Sequence, residues 1–220
     1  MAKKILKSLL KKFGQPFSEE LGINLKSKKS SEVFKWFLAS ILFGARISET
    51  IAKNTYWAAE AHKVLTPQRI KKVGWSFLVK RVMGEGGYVR YDGKTSTTLL
   101  DISNKLIKDY EGNLNNLHKR AKDSKDLEQR LEEFKGVGSI TVNIFLRELR
   151  EIWPKVDPGF SPLVKLAARK LGIRNIKKYW EKNKVRGYSL VNFEAALLRL
   201  GKDYFRKGKT KKEVMEISKK

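Results

Sequence analysis

The chain has 220 residues and a mass of 25.4 kDa, enough for one large domain or two small lobes. Its 48 Lys and Arg against 23 Asp and Glu leave a net charge of +25, an excess that points to a polyanionic partner, of which nucleic acid is the commonest soluble one. The absence of cysteine excludes disulfides, thiolate zinc sites and iron–sulfur clusters, and two histidines, His62 and His118, are too few for a histidine-built metal site. A hydrophobic content of 41%, with five Trp and eleven Phe, supports a packed core rather than a disordered chain. No apolar run approaches the ~18 residues of a membrane span, and no signal-peptide pattern opens the chain.

In chain order, residues 2–13 read as an amphipathic helix with Ile5, Leu9, Leu10 and Phe13 on its apolar face. Its Lys3, Lys4, Lys7, Lys11 and Lys12 suit a membrane surface, a DNA-facing helix or a solvated face. Residues 14–30, with Pro16 and Gly22, read as a linker, and Ser30 or Ser31 as the cap of the next helix. There Val33, Phe34, Phe37, Leu38, Ile41 and Leu42 make a face wide enough to be wholly buried. Ser48 caps a helix over about 49–63, and Thr66-Pro67 opens another that Gly74 interrupts. Residues 84–87 form a loop, and Tyr91-Asp92-Gly93 turns the chain into a helix at about 95–110 carrying Leu99, Ile102, Leu106 and Tyr110. Asn113 to Leu117 is a short helix or turn.

The most informative stretch runs from Leu127 to Asp157. Leu127, Leu131 and Phe134 recur at i, i+4, i+7, one face of a helix. Lys135-Gly136-Val137-Gly138 breaks that period, and glycine reverses a chain between two close helices without a Cβ penalty. Apolar spacing resumes at Val142, Phe145, Leu149 and Ile152, so a second helix follows at once. Its first turn offers unpaired backbone N–H groups at the positive end of a helix dipole, a geometry suited to a phosphate. An ordinary helical corner has the same pattern. Beyond it, Ser161-Pro162 and Gly172 bracket a helix at 162–171, another begins near Val191, and the lysine-rich tail from Lys202 to Lys220 is partly helical.

With its hairpin at Phe134-Lys135-Gly136-Val137-Gly138, its Thr141-Val142-Asn143 and its single Asp157 beyond the second helix, the chain resembles the helix-hairpin-helix DNA glycosylases, the superfamily of endonuclease III and 3-methyladenine glycosylase. That family carries a Leu-Pro-Gly-Val-Gly hairpin, a helix and then a catalytic Asp. The likeness extends from about Ser30 to Tyr204. Phe34 to Ser48 is similar to the buried helix whose exit loop places a residue in the DNA stack, which puts Arg46 at the wedge position. Lys94, Thr95 and Ser96 are similar to a second phosphate-side loop. Phe193 to Gly201 is similar to the helix before the family's iron–sulfur cluster, but Phe205 stands where the first ligating cysteine belongs, so a cluster-free branch is implied.

The resemblance implies an all-α, two-lobed fold: a six-helix lobe at 28–152 holding the hairpin, and a second lobe joining 1–27 to 153–220. It implies a monomer that binds double-stranded DNA carrying a damaged or mismatched base, with no membrane partner, in the cytoplasm of a prokaryote. The high Lys content without Cys is compatible with a thermophile. No cofactor is implied, although hairpin carbonyls are able to hold a cation. Asp157 is the implied catalytic carboxylate, stabilising positive charge on the sugar as the base leaves and orienting the attacking water. An Asp before Pro158 is also a common helix cap. Bifunctional members place a nucleophilic Lys where this chain has Ile140, so a monofunctional hydrolase is implied. DNA contacts are expected from Lys135, Gly136, Val137, Gly138, Ser139, Thr141, Arg46, Lys94 and Thr95. Trp153, Phe160, Tyr56 and Trp57 are candidates for a base pocket, each equally suited to a plain core. Two alternatives stay open: a non-enzymatic hairpin protein that binds DNA, and an abasic-site lyase using an unusual lysine such as Lys135 or Lys155.

Overall fold

The computed structural model describes residues 3–217. Ala2, where the first helix was expected to begin, and residues 218–220 of the tail lie outside them. Among the described residues every regular element is helical and no strand occurs, so the chain is all-α. The helices are α1 (Lys3–Phe13), α2 (Phe17–Glu20), α3 (Ser30–Gly44), α4 (Glu49–Ala61), α5 (Pro67–Phe77), α6 (Asp92–Tyr110) and α7 (Leu114–Arg120). They continue as α8 (Ser124–Glu132), α9 (Ser139–Arg147), α10 (Pro162–Lys170), α11 (Ile176–Asn183), α12 (Leu190–Arg199) and α13 (Lys211–Ile217). None is long and apolar enough to cross a membrane.

The chain divides into two compact units, Leu21–Pro158 and Met1–Glu20 with Gly159–Lys220. Trp153, Val156 and Asp157 therefore belong with the hairpin. The larger unit is built round α3, whose Val33 to Leu42 are buried with the single exception of Lys35. The Phe37 ring stands edge-on to Phe145, at 4.9 Å between centroids, and to Phe134, at 5.8 Å. The indole N–H of Trp36 donates to the Phe145 carbonyl at 3.0 Å, which satisfies its one polar group inside the core. Two aromatic rings of the hairpin motif are thereby fastened to the central helix. Each such ring contributes about 1.5–3 kcal/mol by leaving water.

In the smaller unit α1 packs on α12 and α12 on α10. On α1 the buried residues are Leu6, Leu9, Leu10 and Phe13, whereas Ile5 is only half-buried. A reciprocal box of Ser189 and Asn192 caps α12, and Asn192 also donates to the Gly14 carbonyl at 2.9 Å. Arg199 donates to the carbonyls of Phe13 and Gln15, pairs with Glu20 at 3.1 Å and lies 4.1 Å over the Phe17 ring. Phe193 stacks with both Tyr179 and Trp180 of α11, a helix the sequence reading missed. Phe205 is buried.

Local signals decided most boundaries. Ser48, Thr66 and Ser161 cap α4, α5 and α10 as expected, and Gly74 breaks the helical dihedrals inside α5. Four expectations are corrected. The stretch at 14–30 is not a bare linker, because Phe17, Leu21, Ile23 and Leu25 are buried and helical turns interrupt it. Neither Ser30 nor Ser31 caps α3; Lys29 precedes it without a side-chain cap, and the Glu32 carboxylate instead accepts from the Asn24 N–H at 2.8 Å. The second hairpin helix stops at Arg147 and does not run to Ile152; Leu149 is buried by the turns that follow, which meet the same apolar spacing without a helix. The cap role open to Asp157 is filled by Ser161, the residue that begins α10.

Candidate nucleic-acid interface

The hairpin is built from both of its flanks. Asp123 caps α8 by accepting from the Asp126 N–H at 2.8 Å, and Leu127, Leu131 and Phe134 are fully buried. The chain then turns at Gly136, whose φ of +83° is the left-handed conformation that only glycine adopts without cost. A Cβ on Gly136 would stand 2.9 Å from Thr98 Cγ2, so the turn rests directly on α6. Lys135 reinforces that contact through Asp101, 3.5 Å away on the same helix. Val137 is buried and seals the turn.

Gly138 has different surroundings. Its φ of −106° and ψ of 177° are open to any residue, and a Cβ there would meet nothing within 4 Å. It is the N-cap of α9 and supplies no side-chain cap, so no cap engages the first-turn N–H groups at the positive end of the dipole. Ser139 is exposed, and Ile140 is 69% exposed, an apolar side chain left on a polar rim. Thr141 points the other way: it is 6% exposed, and its Oγ1 would lie 2.3 Å from a Cβ on Gly44.

Those two close approaches gather the other predicted DNA contacts. Because Gly44 touches Thr141, the loop after α3 passes the start of α9, and Arg46 stands exposed in that loop. Because Gly136 touches Thr98, Lys94 lies one turn away on the same face of α6, also exposed. Thr95 is half-buried and shares a hydrogen bond with Tyr88 at 2.8 Å, whereas Ser96 is wholly buried and does not face outward. Hairpin, Arg46 and Lys94 therefore form one basic rim on the larger unit.

Asp157 lies beyond the other end of α9, whose nine residues span about 13 Å. Its carboxylate is 59% exposed, yet one oxygen is held 3.0 Å from Nη1 of Arg150, a side chain only 5% exposed. Nη2 of Arg150 donates to the Pro158 carbonyl at 2.6 Å, so one buried guanidinium fixes both the side chain and the following backbone. Glu128 of α8 lies close enough to feel this carboxylate. Burial first, then the charges of Glu132 and Asp157, push its carboxyl above the usual range. Sequence reading missed Arg150 and Glu128, because nothing in their spacing relates them to Asp157.

The aromatic candidates separate. Trp153 is buried, stacked on His118 at 4.7 Å and 8°, edge-on to Phe145 at 5.6 Å, and bonded through its indole N–H to Asn115 at 2.9 Å. Tyr56 is buried with no partner for its hydroxyl, and burial, then Glu60 and Glu32, push that hydroxyl above its ordinary range. Both are core. Trp57 is 45% exposed on α4, and Phe160 is half-buried in the other unit. No protein-family model matches the chain, and comparison with curated proteins finds no significant relative. The assignment of chemistry therefore rests on the geometry.

Lys155 is not a solvated surface lysine. Its ammonium donates to the carbonyls of His118 and Lys119, each at 3.2 Å, and to that of Ala121, closing the C-terminal end of α7 where a cation is favourable. Burial, and secondly the Lys155 charge, hold the His118 imidazole below its ordinary pKa. The larger unit thus presents an exposed helix start with Arg46 and Lys94 on the elements that touch the hairpin, and an exposed carboxylate oriented by a buried arginine.

Proposed function

We propose that the chain is a monofunctional DNA glycosylase of the helix-hairpin-helix class, with a two-lobed fold of that kind and a flipped damaged or mismatched base as substrate. The observation that carries this is the pairing, within one compact unit, of an uncapped hairpin helix flanked by Arg46 and Lys94 with a solvent-facing Asp157 clamped by Arg150. Backbone N–H groups at the start of α9 hold a phosphate and set the register of the duplex without reading bases. Asp157 then faces the sugar, stabilises the oxocarbenium-like charge as the base departs, and orients the water that adds to the anomeric carbon. The exposed Ile140 carries no nucleophile, and Lys155 is engaged by three carbonyls, which favours water over a Schiff base as the attacking group.

One observation favours a second reading, a binding protein without chemistry: Arg150 already compensates the Asp157 charge. Duplexes each carrying one lesion (uracil, hypoxanthine, 8-oxoguanine, alkylated adenine or a mismatch) separate the two. Asp157→Asn should keep DNA affinity and cost at least ~10²-fold in base release, the size of one preorganised electrostatic contact. The wild-type product should be an intact abasic strand that breaks only with alkali or heat. Unchanged release by the Asn variant would reject the catalytic role, and direct scission trapped by borohydride would reject the monofunctional one.

A further inference from the structure

The smaller unit contains a second glycine corner, between α10 and α11, which differs from the hairpin in carrying a side-chain cap on its second helix. Two residues beyond the end of α10 at Lys170 stands Gly172, whose φ of +80° is close to that of Gly136. The Ile173 N–H returns to the Ala168 carbonyl at 2.8 Å, and Ile173, like Val137, is the buried branched residue after the glycine. Asn175 then caps α11, accepting from the Lys178 N–H at 2.9 Å.

A depression of about 610 Å³ opens at this corner. Ala168, Ile173 and Ile176 form its apolar floor and are buried, while Lys165, Arg169 and Arg174 stand exposed at its rim. Lys165 and Arg169 are one helical turn apart on α10, and Arg174 reaches the same depression from the corner itself. Among the described residues, the ion pairs Glu20–Arg199, Glu181–Lys184 and Glu213–Lys209 of this unit involve none of them. Three exposed cations round a shallow concavity repel one another, and a chain of phosphates relieves that repulsion better than a single small anion.

We infer that this corner is a second anchor for a phosphodiester backbone, independent of the hairpin. It rests on the assignment of DNA as the partner and extends it to a surface with no part in base release. The test uses the full chain and a fluorescein-labelled, undamaged duplex, titrated from 50 to 300 mM salt. Lys165→Gln, Arg169→Gln and Arg174→Gln together should reduce the slope of log affinity against log salt by about 2–3, and each alone by about one, because each phosphate contact contributes roughly 0.9. Lys108→Gln, Lys119→Gln and Lys125→Gln, equally exposed in the larger unit, remove the same charge and should leave the slope nearly unchanged. Thermal melts identify any variant that is unfolded, and the single variants then carry the measurement. A wild-type slope retained by the triple variant overturns the inference alone, as does an equal drop in the control. A wild type whose binding ignores salt overturns the inference and the DNA assignment together.

Discussion

Alanine at Gly136 and at Gly138 separates a glycine that the fold requires from one that only a ligand requires. At Gly136 the left-handed φ of +83° costs an alanine roughly 1–2 kcal/mol. Its Cβ would also stand 2.9 Å from Thr98 Cγ2, and displacing that side chain from its rotamer adds about 0.5–1.5 kcal/mol. The sum, roughly 1.5–3.5 kcal/mol, should lower Tm by about 3–14 °C in a chain of this size. At Gly138 the backbone suits alanine and the added carbon meets nothing, so stability should change by less than ~1 kcal/mol, the reduced freedom of the unfolded chain offsetting the poorer N-cap that alanine makes. On the proposed docking of a phosphate at the first turn of α9, that carbon would occupy the space the phosphate must enter. Blocking one charge-assisted hydrogen bond of about 1.5–3 kcal/mol should weaken binding roughly 10- to 150-fold. Thermal melts and fluorescence anisotropy on two duplexes of unrelated sequence read both effects, and the loss should be equal on the two, since backbone donors carry no base information. Wild-type affinity in a well-folded Gly138→Ala protein would show that no phosphate approaches the hairpin, which would then be a corner and nothing more.

Two further outcomes follow from the chemistry behind Trp153. Lys155→Met should destabilise the protein by about 1–2 kcal/mol through loss of the α7 cap, without changing borohydride trapping, whereas a loss of trapped adduct would restore lysine chemistry to that position. The folded-state pKa of His118 is depressed, so its contribution to stability is present above the ordinary value near 6.5 and is lost as pH falls through the folded value. The wild-type Tm should therefore drop more between pH 7 and pH 5 than that of His118→Phe, which keeps a ring against Trp153; equal drops would remove His118 from the acid response.

Where a local rule was sufficient, the sequence by itself determined the outcome. Periodicity placed Leu99, Ile102, Leu106 and Tyr110 on one buried face, cap chemistry opened α4, α5 and α10, and two glycines located the hairpin. The net charge, too, is a property of composition alone. Each of these is decided within about one helical turn, the range over which propensity and capping act. Other properties depend on partners distant in the chain. Trp153 became core because His118, Asn115 and Phe145 converge on it, although its place beside Asp157 suited a pocket equally well. Lys155 became a helix cap because the end of α7 lies within its reach. Thr141 turned inward because Gly44 leaves room for it, while Ile140, its neighbour, stayed in solvent. The Arg150–Asp157 clamp has no local signature, since an exposed carboxylate selects its cation by proximity in space, and only packing brings a buried guanidinium to it.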